Sequence, residues 1–471
     1  MIESLKSITE IPDLRRRILF TLLMLAVYRL GAFIPTPGIN ADVFEQLFNQ
    51  YAGGLFGLLA MFSGGSLRRL TVFALGIMPY ITASIILQLL TVVSPHLEKL
   101  HKEGELGRRK ITSYTRWLAV GLSAFQAFGI ASMLSRQPNM VANPGPGFVF
   151  STVVTLTAGA IFIMWLGEQI TARGIGNGMS LLIFTGIVAG LFRAIGDLYE
   201  KVFVTRVWSF PVLLLLLAFM LVVVAFIVLV ERGERRIPIQ YAKRIVGRKV
   251  MGGVSTHLPL KVNSGGVMPI IFAVSILTFP QTFGLFWWKN SANPIITAIG
   301  KGIEWFVKVF AYGEPLYTLS YVLMIIFFAH FYLSIVYNPD EVADNVRKQG
   351  GFIPGIRPGK RTADHLDEVL TKITWVGGLY LAIIALIPEM MLAGVRLNHL
   401  PGWLGGGWFD SHLPGWVLHG LNVNFYFGGT SLLIVVGVAM DTVQQVEAQL
   451  IMRHYEGFLK KGRIRGRRAA S

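Results

Sequence analysis

Long runs in which nearly every position is apolar alternate along the chain with short polar connections. Ten of these runs approach the ~20 residues that a helix needs to cross a hydrocarbon core of ~30 Å. They lie at about 18–35, 70–93, 117–135, 148–170, 179–198, 209–230, 265–286, 316–337, 371–392 and 426–447. Backbone amides in lipid must be satisfied within their own segment, so the runs predict ten transmembrane helices in an all-α polytopic membrane protein. Ahead of them Ile2, Leu5, Ile8 and Ile11 recur at helical spacing and predict a surface-lying helix over residues 1–11. Arg15, Arg16 and Arg17 lead into a long first span with no small-x-small site, which argues against a cleaved signal.

One segment breaks the pattern. Residues 61–81, MFSGGSLRRLTVFALGIMPYI, are apolar enough to enter a bilayer yet contain Gly64, Gly65, Arg68, Arg69 and Pro79. Part of the segment recurs: Gly76-Ile-Met-Pro-Tyr-Ile-Thr-Ala-Ser-Ile85 and Gly266-Val-Met-Pro-Ile-Ile-Phe-Ala-Val-Ser275 share five of ten positions, and each follows a Ser-Gly-Gly. The copies fall in the second and seventh runs. An offset of five spans means that the two halves cross the membrane in opposite senses, an arrangement that places a pathway at their interface, lined by broken helices. Pro79 and Pro269 cannot donate to the carbonyls of Leu75 and Gly265, so a kink is expected at corresponding points. Ser66 is the expected N-cap of the helix after the glycines.

Composition fits this reading and charge orients it. The 471 residues are 53% hydrophobic and 15% charged, against about a quarter charged in soluble domains. With the N-terminus inside, 31 of the 43 lysines and arginines fall in inner segments and nine in outer ones, so both termini are expected in the cytoplasm. Two inner loops, 231–263 and 338–370, are longer and more basic than topology requires. They are candidate docking surfaces for an acidic partner, nucleic acid or protein.

Candidate chemistry narrows the pathway. The acids associated with spans, Glu168, Glu389, Asp441 and Glu447, sit near span ends, whereas an ion-coupled transporter keeps ionisable groups at mid-membrane. His330, among Phe327, Phe328 and Phe331, is read as a hydrogen-bonded structural residue, and Arg29 near its span end as a snorkelling one. The repeated helices offer aliphatics, Ile77 and Ile81 one turn apart with Ile271 matching Ile81. An apolar constriction of this kind excludes water and ions while deforming around a larger chain. Zero cysteines exclude disulfides and thiolate chemistry, and neither HExxH nor a phosphate-binding GxxxxGK[ST] loop occurs. His399, His412, His419 and Asp410 lie in HLPGWLGGGWFDSHLPGW, which repeats HLPGW and reads as a Trp-rich interfacial loop in place of a metal site. No metal, cofactor or enzymatic role is expected. The alternative to a polypeptide channel is an inverted-repeat secondary transporter of a small solute.

Five stretches carry a family resemblance: FSGGSLRRLTVFALGIMPYITASIILQLLTVV (62–93), WLGEQITARGIGNGMSLLIFTGIVAG (165–190), STHLPLKVNSGGVMPIIFA (255–273), FIPGIRPGKRTA (352–363) and FYFGGTSLLIVVGVAMD (425–441). They resemble the SecY family, the channel subunits of bacterial protein translocases, from about residue 10 to 460. The resemblance implies ten helices in two inverted halves, 1–198 and 209–471, joined by an external hinge loop at 199–208. Between them lies an hourglass pore with a re-entrant plug at about 55–66. Unfolded secretory chains would pass through the pore, and membrane segments would leave sideways. The implied ring residues are Ile77, Ile81, Met179, Ile183, Ile271 and Ile434, with Met179 standing where an isoleucine is expected. Phe62, Gly64 and Gly65 would belong to the plug, and Thr82, Gln88 and Gln126 to the lateral gate. Arg236, Lys243, Arg244, Arg248, Lys249 and Arg357 would dock a ribosome or the SecA ATPase. The implied companions are the small membrane subunits SecE and SecG, signal sequences, nascent chains and the lipid bilayer, in a bacterial cytoplasmic membrane. The loop from 393 to 424 is longer than the family pattern implies.

Overall fold

The computed structural model describes residues 11–40, 43–46, 48, 63–135, 140–206, 209–241, 244–246, 249–251, 255–287, 309–311, 313–392, 394–396 and 429–461. Each of the ten predicted spans carries a helix. In chain order the helices are α1 (Pro12–Gly31), α2 (Met78–Val93), α3 (Pro95–Lys102), α4 (Glu105–Ser135), α5 (Pro146–Arg173), α6 (Gly178–Tyr199), α7 (Phe210–Glu231), α8 (Met268–Trp287), α9 (Pro315–Val336), α10 (Pro339–Lys348), α11 (Lys360–Leu392) and α12 (Gly429–Lys461). Among the described residues six helices are long and apolar enough to cross a membrane. They become seven if α2 and α3, bent by 99° at Ser94-Pro95, count as one. The surface helix expected over 1–11 and most of the 393–424 loop lie outside the described residues.

The helices form where the runs predict them because hydrophobicity sets their length and local chemistry sets their ends. Helix α1 opens with Pro12, whose missing N–H is an orphan position in any first turn, and Asp13; Arg29 occupies its last turn. Helix α7 is apolar on every face, yet only Leu216, Val223 and Ile227 are buried. Those three lie seven and four residues apart, so a single stripe packs on protein and the remainder meets lipid.

The prolines of the repeat do not kink their helices. Residues 70–77 form turns, α2 begins at Met78, and Pro79 sits in its first turn, as Pro269 does just after Met268. Here the absent proline N–H costs nothing. The break lies one step earlier, at Gly76 (φ 58°) and Gly266 (φ 57°), a left-handed conformation that glycine adopts without a Cβ penalty. The Ile77 carbonyl then accepts the N–H of Ile81 at 3.1 Å, and the Val267 carbonyl that of Ile271 at 3.3 Å, so the two copies start alike.

Packing follows the repeat. Helices α2, α4, α5 and α6 pack in succession, and α8, α9, α11 and α12 do the same. Across the molecule α2 meets α8 and α6 meets α12. These two cross-pairs join equivalent helices, as a two-fold relation between the copies would produce, while α8 also packs on α4.

The long polar loops, for which no element was expected, carry short strands within the mostly helical fold. Segment 231–263 folds as strands β1 (Glu234–Tyr241), β2 (Arg244–Val246), β3 (Lys249–Met251) and β4 (Ser255–Lys261), with β2 and β3 forming an antiparallel ladder. Strand β5 (Gly351–Phe352) comes from the other loop, and the sheet order is β4-β1-β5. Ile237 and Ile239 alternate inward along β1, and Ile237 packs with Leu260, Ile353, Leu366, Val369, Leu370 and Ile373. The sheet therefore stands on the start of α11.

Gly159 on α5 decides whether residues 70–77 fit. A Cβ there would overlap the carbonyl oxygen of Val72. We expect Gly159→Leu to lower stability by about 1–3 kcal/mol, the usual overpacking cost, read as a reduced thermal midpoint of the purified protein.

Candidate functional site

The six predicted ring residues come from four helices and the turn before α2, and the fold gathers them in one apolar cluster. Ile77, Ile81, Ile183, Ile271 and Ile434 are buried, and Met179 is half-buried against them. Where an isoleucine was expected, the unbranched Met179 side chain lies over Gly167 of α5, whose lack of a Cβ leaves room for the thioether sulfur.

A cavity of about 530 Å³ opens beside this cluster. Ile81, Met179, Ile183 and Ile271 line its apolar part; Ser84, Thr112, Arg116, Glu168 and Asn177 line the rest. These polar residues belong mainly to helix ends predicted to face the cytoplasm. Arg116 Nε donates to Glu168 Oε1 at 2.7 Å, so the charges at the mouth neutralise one another. This cavity, polar on one side and aliphatic on the other, is termed the funnel. Among the described residues no group of three or more His, Asp or Glu side chains could hold a metal ion. His399, Asp410, His412 and His419 lie outside the described residues.

Of the predicted plug, residues 55–62 with Phe62 lie outside the described residues; its end, 63–66, is held tightly. Gly64 (φ 64°) and Gly65 (φ 81°) make the turn. Arg29 does not snorkel: its Nη1 donates to the Gly64 carbonyl at 3.1 Å while the guanidinium lies 5.2 Å from the Phe33 ring centroid. The hydroxyl of Tyr28 donates to the Ser63 carbonyl at 3.5 Å. Ser66 holds the N-cap position of the short 3-10 turn Leu67–Arg69, as expected, but its hydroxyl makes no cap hydrogen bond; Ser63 Oγ instead accepts the N–H of Leu67 at 3.2 Å. Arg68 and Arg69 both face Glu45, at 3.0 and 3.5 Å.

The residues expected at a lateral gate occupy neighbouring helices. Thr82 is buried on α2, Gln126 is half-buried on α4, and α8 packs on both helices. Gln88 Nε2 donates at 3.2 Å to Ser84 Oγ of its own helix, not across the gate.

The two docking loops meet, which sequence reading did not foresee. Gln240 pairs with Phe352 and Tyr241 with Gly351, so one sheet carries residues of both. Arg236 is exposed and bonded to Glu234 at 2.7 Å; Arg357 is exposed, and its carbonyl accepts Thr362 Oγ1 at 3.0 Å. Arg244 and Lys249 belong to the β2–β3 hairpin, and Lys243 and Arg248 lie outside the described residues. The alternation of Ile237 with Ile239 and of Leu258 with Leu260 was the available strand signal. The clasp of Tyr28 and Arg29 on the 63–65 turn had no local signal, since its partners are 35 residues apart.

Comparison with known proteins bears on the whole chain. The SecY family model matches residues 71–443. The chain is 48% identical over 460 residues to protein translocase subunit SecY of Escherichia coli K12, covering 96% of each chain. It is 46% identical over 462 residues to that of Streptomyces galbus, covering 95% of this chain and 98% of the relative. A solved protein-conducting channel superposes with a TM-score of 0.57 at 17% identity, covering 92% of both chains. Sec61 in the canine ribosome-channel complex from the endoplasmic reticulum gives 0.55 at 15%, again over 92% of both.

Gly64 provides a test of the clasp. A Cβ there would fall 2.7 Å from the Gly186 Cα of α6, in a left-handed conformation. Gly64→Ala should strain the closed arrangement by roughly 1–3 kcal/mol and raise the resting ion conductance of the protein in planar bilayers.

Proposed function

Because the chain belongs to the SecY family, we propose that it is the protein-conducting channel of a bacterial general secretory pathway, passing unfolded polypeptides across the cytoplasmic membrane and releasing membrane segments sideways. The observation that carries this reading is the funnel. Aliphatic side chains from four helices meet at its base, beside a cavity whose polar mouth lies at the predicted cytoplasmic ends. Apolar walls bind no small solute, but they exclude water and ions and yield to a chain of any sequence. Among the described residues the one buried Asp, Glu, His, Lys or Arg side chain is Glu389, which lies near the end of α11. A proton- or ion-coupled carrier would keep such groups at mid-membrane.

In this reading Ile77, Ile81, Met179, Ile183, Ile271 and Ile434 form the seal. Residues 55–66, with Phe62, Gly64 and Gly65, form the plug, and Thr82, Gln88 and Gln126 border the lateral gate. The halves 1–198 and 209–471 hinge at 199–208, where the helix continues as a π-turn over Glu200–Val204 and Arg206 takes a positive φ of 50°. Both termini lie in the cytoplasm. Arg236, Lys243, Arg244, Arg248, Lys249 and Arg357 of the two loops dock a ribosome or SecA, while SecE and SecG pack on the helices. Basic residues on a rigid sheet suit partners rich in phosphate or carboxylate.

The chain has no cysteine, so single thiols can be introduced cleanly. A cysteine at Ile81 should cross-link to one in a stalled secretory chain, whereas cysteines at lipid-facing Leu215 or Leu221 should not; failure at Ile81 with export intact would remove the pore assignment. Arg357→Glu should reduce export several-fold with normal accumulation of the complex, measured as protease-protected precursor in vesicles.

A further inference from the structure

A polar bracket near the predicted cytoplasmic ends joins the two halves and the docking sheet through one face of α12. Asp441, Gln444 and Gln445 stand at i, i+3 and i+4 and so lie side by side. Gln445 Oε1 accepts the backbone N–H of Gly176, at 2.9 Å, from the connection between α5 and α6 in the other half. Gln444 Oε1 accepts from Lys261 Nζ at 2.7 Å, and Asp441 Oδ1 lies 3.8 Å from the same ammonium.

Both partners of this face sit at the roots of ring-bearing helices. Gly176 has φ 87°, a turn that brings Gly178 to the start of α6, which carries Met179 and Ile183. The turn is tied on two further sides: Thr21 Oγ1 of α1 accepts the Ile175 N–H at 3.1 Å, and Thr171 Oγ1 of α5 accepts that of Gly178 at 2.9 Å. Lys261 ends β4, opposite Glu234 of β1, so it is the foot of the docking sheet. Two residues on, Asn263 Nδ2 donates to Glu231 Oε1 of α7 at 2.6 Å and to the Gly266 carbonyl at 3.1 Å, the turn that opens α8 and leads to Ile271. Ile434 lies two helical turns from Asp441 on α12 itself. The bracket therefore reaches every ring-bearing helix except α2, and it reaches the sheet.

Resting on the channel reading above, we propose that Gln445 and Lys261 are positioning residues of the gate. Gln445 holds α6 of one half against α12 of the other in the closed arrangement, and Lys261 couples that lock to the docking sheet. A partner that tilts the sheet pulls on Lys261 and shifts α12 against Gly176, which loosens the seal at Met179, Ile183 and Ile434. Neither residue contacts the passing chain; both act through the helices they hold.

The test uses proteoliposomes containing the complete translocase complex and two precursors, one with an intact signal and one whose apolar signal core is interrupted by an arginine. Export of the intact precursor by the unaltered chain checks the channel reading independently. Gln445→Leu, which removes one hydrogen-bond acceptor across the halves, should raise export of the interrupted precursor about fivefold relative to the unaltered chain. Gln445→Glu, which keeps an acceptor for the Gly176 N–H, should stay within about twofold. Lys261→Met cuts the bracket at the sheet and should loosen discrimination in the same direction, providing a readout even if Gln445→Leu fails to accumulate. Unchanged discrimination in the variants that accumulate, or a Gln445→Glu channel as permissive as Gln445→Leu, would overturn the proposal.

Discussion

The structure turns on one constraint: backbone that leaves the helical path at membrane depth must find its hydrogen-bond partners in protein, because lipid supplies none. Residues 63–77 are such a segment, and the N-terminal half is arranged to enclose them. Val72 N–H bonds the Ile34 carbonyl at 2.9 Å, and the Leu70 carbonyl accepts both the N–H and the hydroxyl of Thr36, at 3.1 and 2.7 Å. Tyr28 stacks on Phe73 with ring centroids 6.0 Å apart, at Gly31, where any side chain would collide with that ring. Gly159 and Gly186 clear the remaining two sides. Enclosure of this segment brings α1, α5 and α6 together around it.

The same constraint explains where charge is tolerated. Arg68 and Arg69 share Glu45, Arg116 pairs with Glu168, and Arg29 finds a carbonyl and an aromatic face, so each of these cations has a partner. The base of the funnel carries none. An aliphatic seal with its charges withdrawn to the mouth closes by excluding water, and closing it requires no specific bond to be made with whatever passes.

The sheet adds what helices in lipid cannot. Its strands follow polar segments of the sequence, and Ile237, Leu260 and Ile353 bury their apolar faces on the start of α11. The sheet thus connects the exposed Arg236 to the start of α11, and under the proposed function a partner bound there would act on the helices through this contact.

The sequence by itself determined where the helices of the ten apolar runs would form and pointed to part of the candidate ring, because apolar run length and the GxMPxI repeat are local properties written along the chain. Ile77, Ile81 and Ile271 were legible through the repeat, Met179, Ile183 and Ile434 only through the family resemblance, and their meeting in one cluster became visible in three dimensions. The kink expected at Pro79 was misplaced because proline forbids the same N–H bond whether it interrupts a helix or begins one, and the positive φ of Gly76 decides which. Only the tertiary structure decided that the two docking loops share a sheet, that Arg29 clasps Gly64, and that Gln445 reaches Gly176. Each of these joins residues tens to hundreds of positions apart, and a hydrogen bond between distant groups leaves no periodicity in either partner's surroundings.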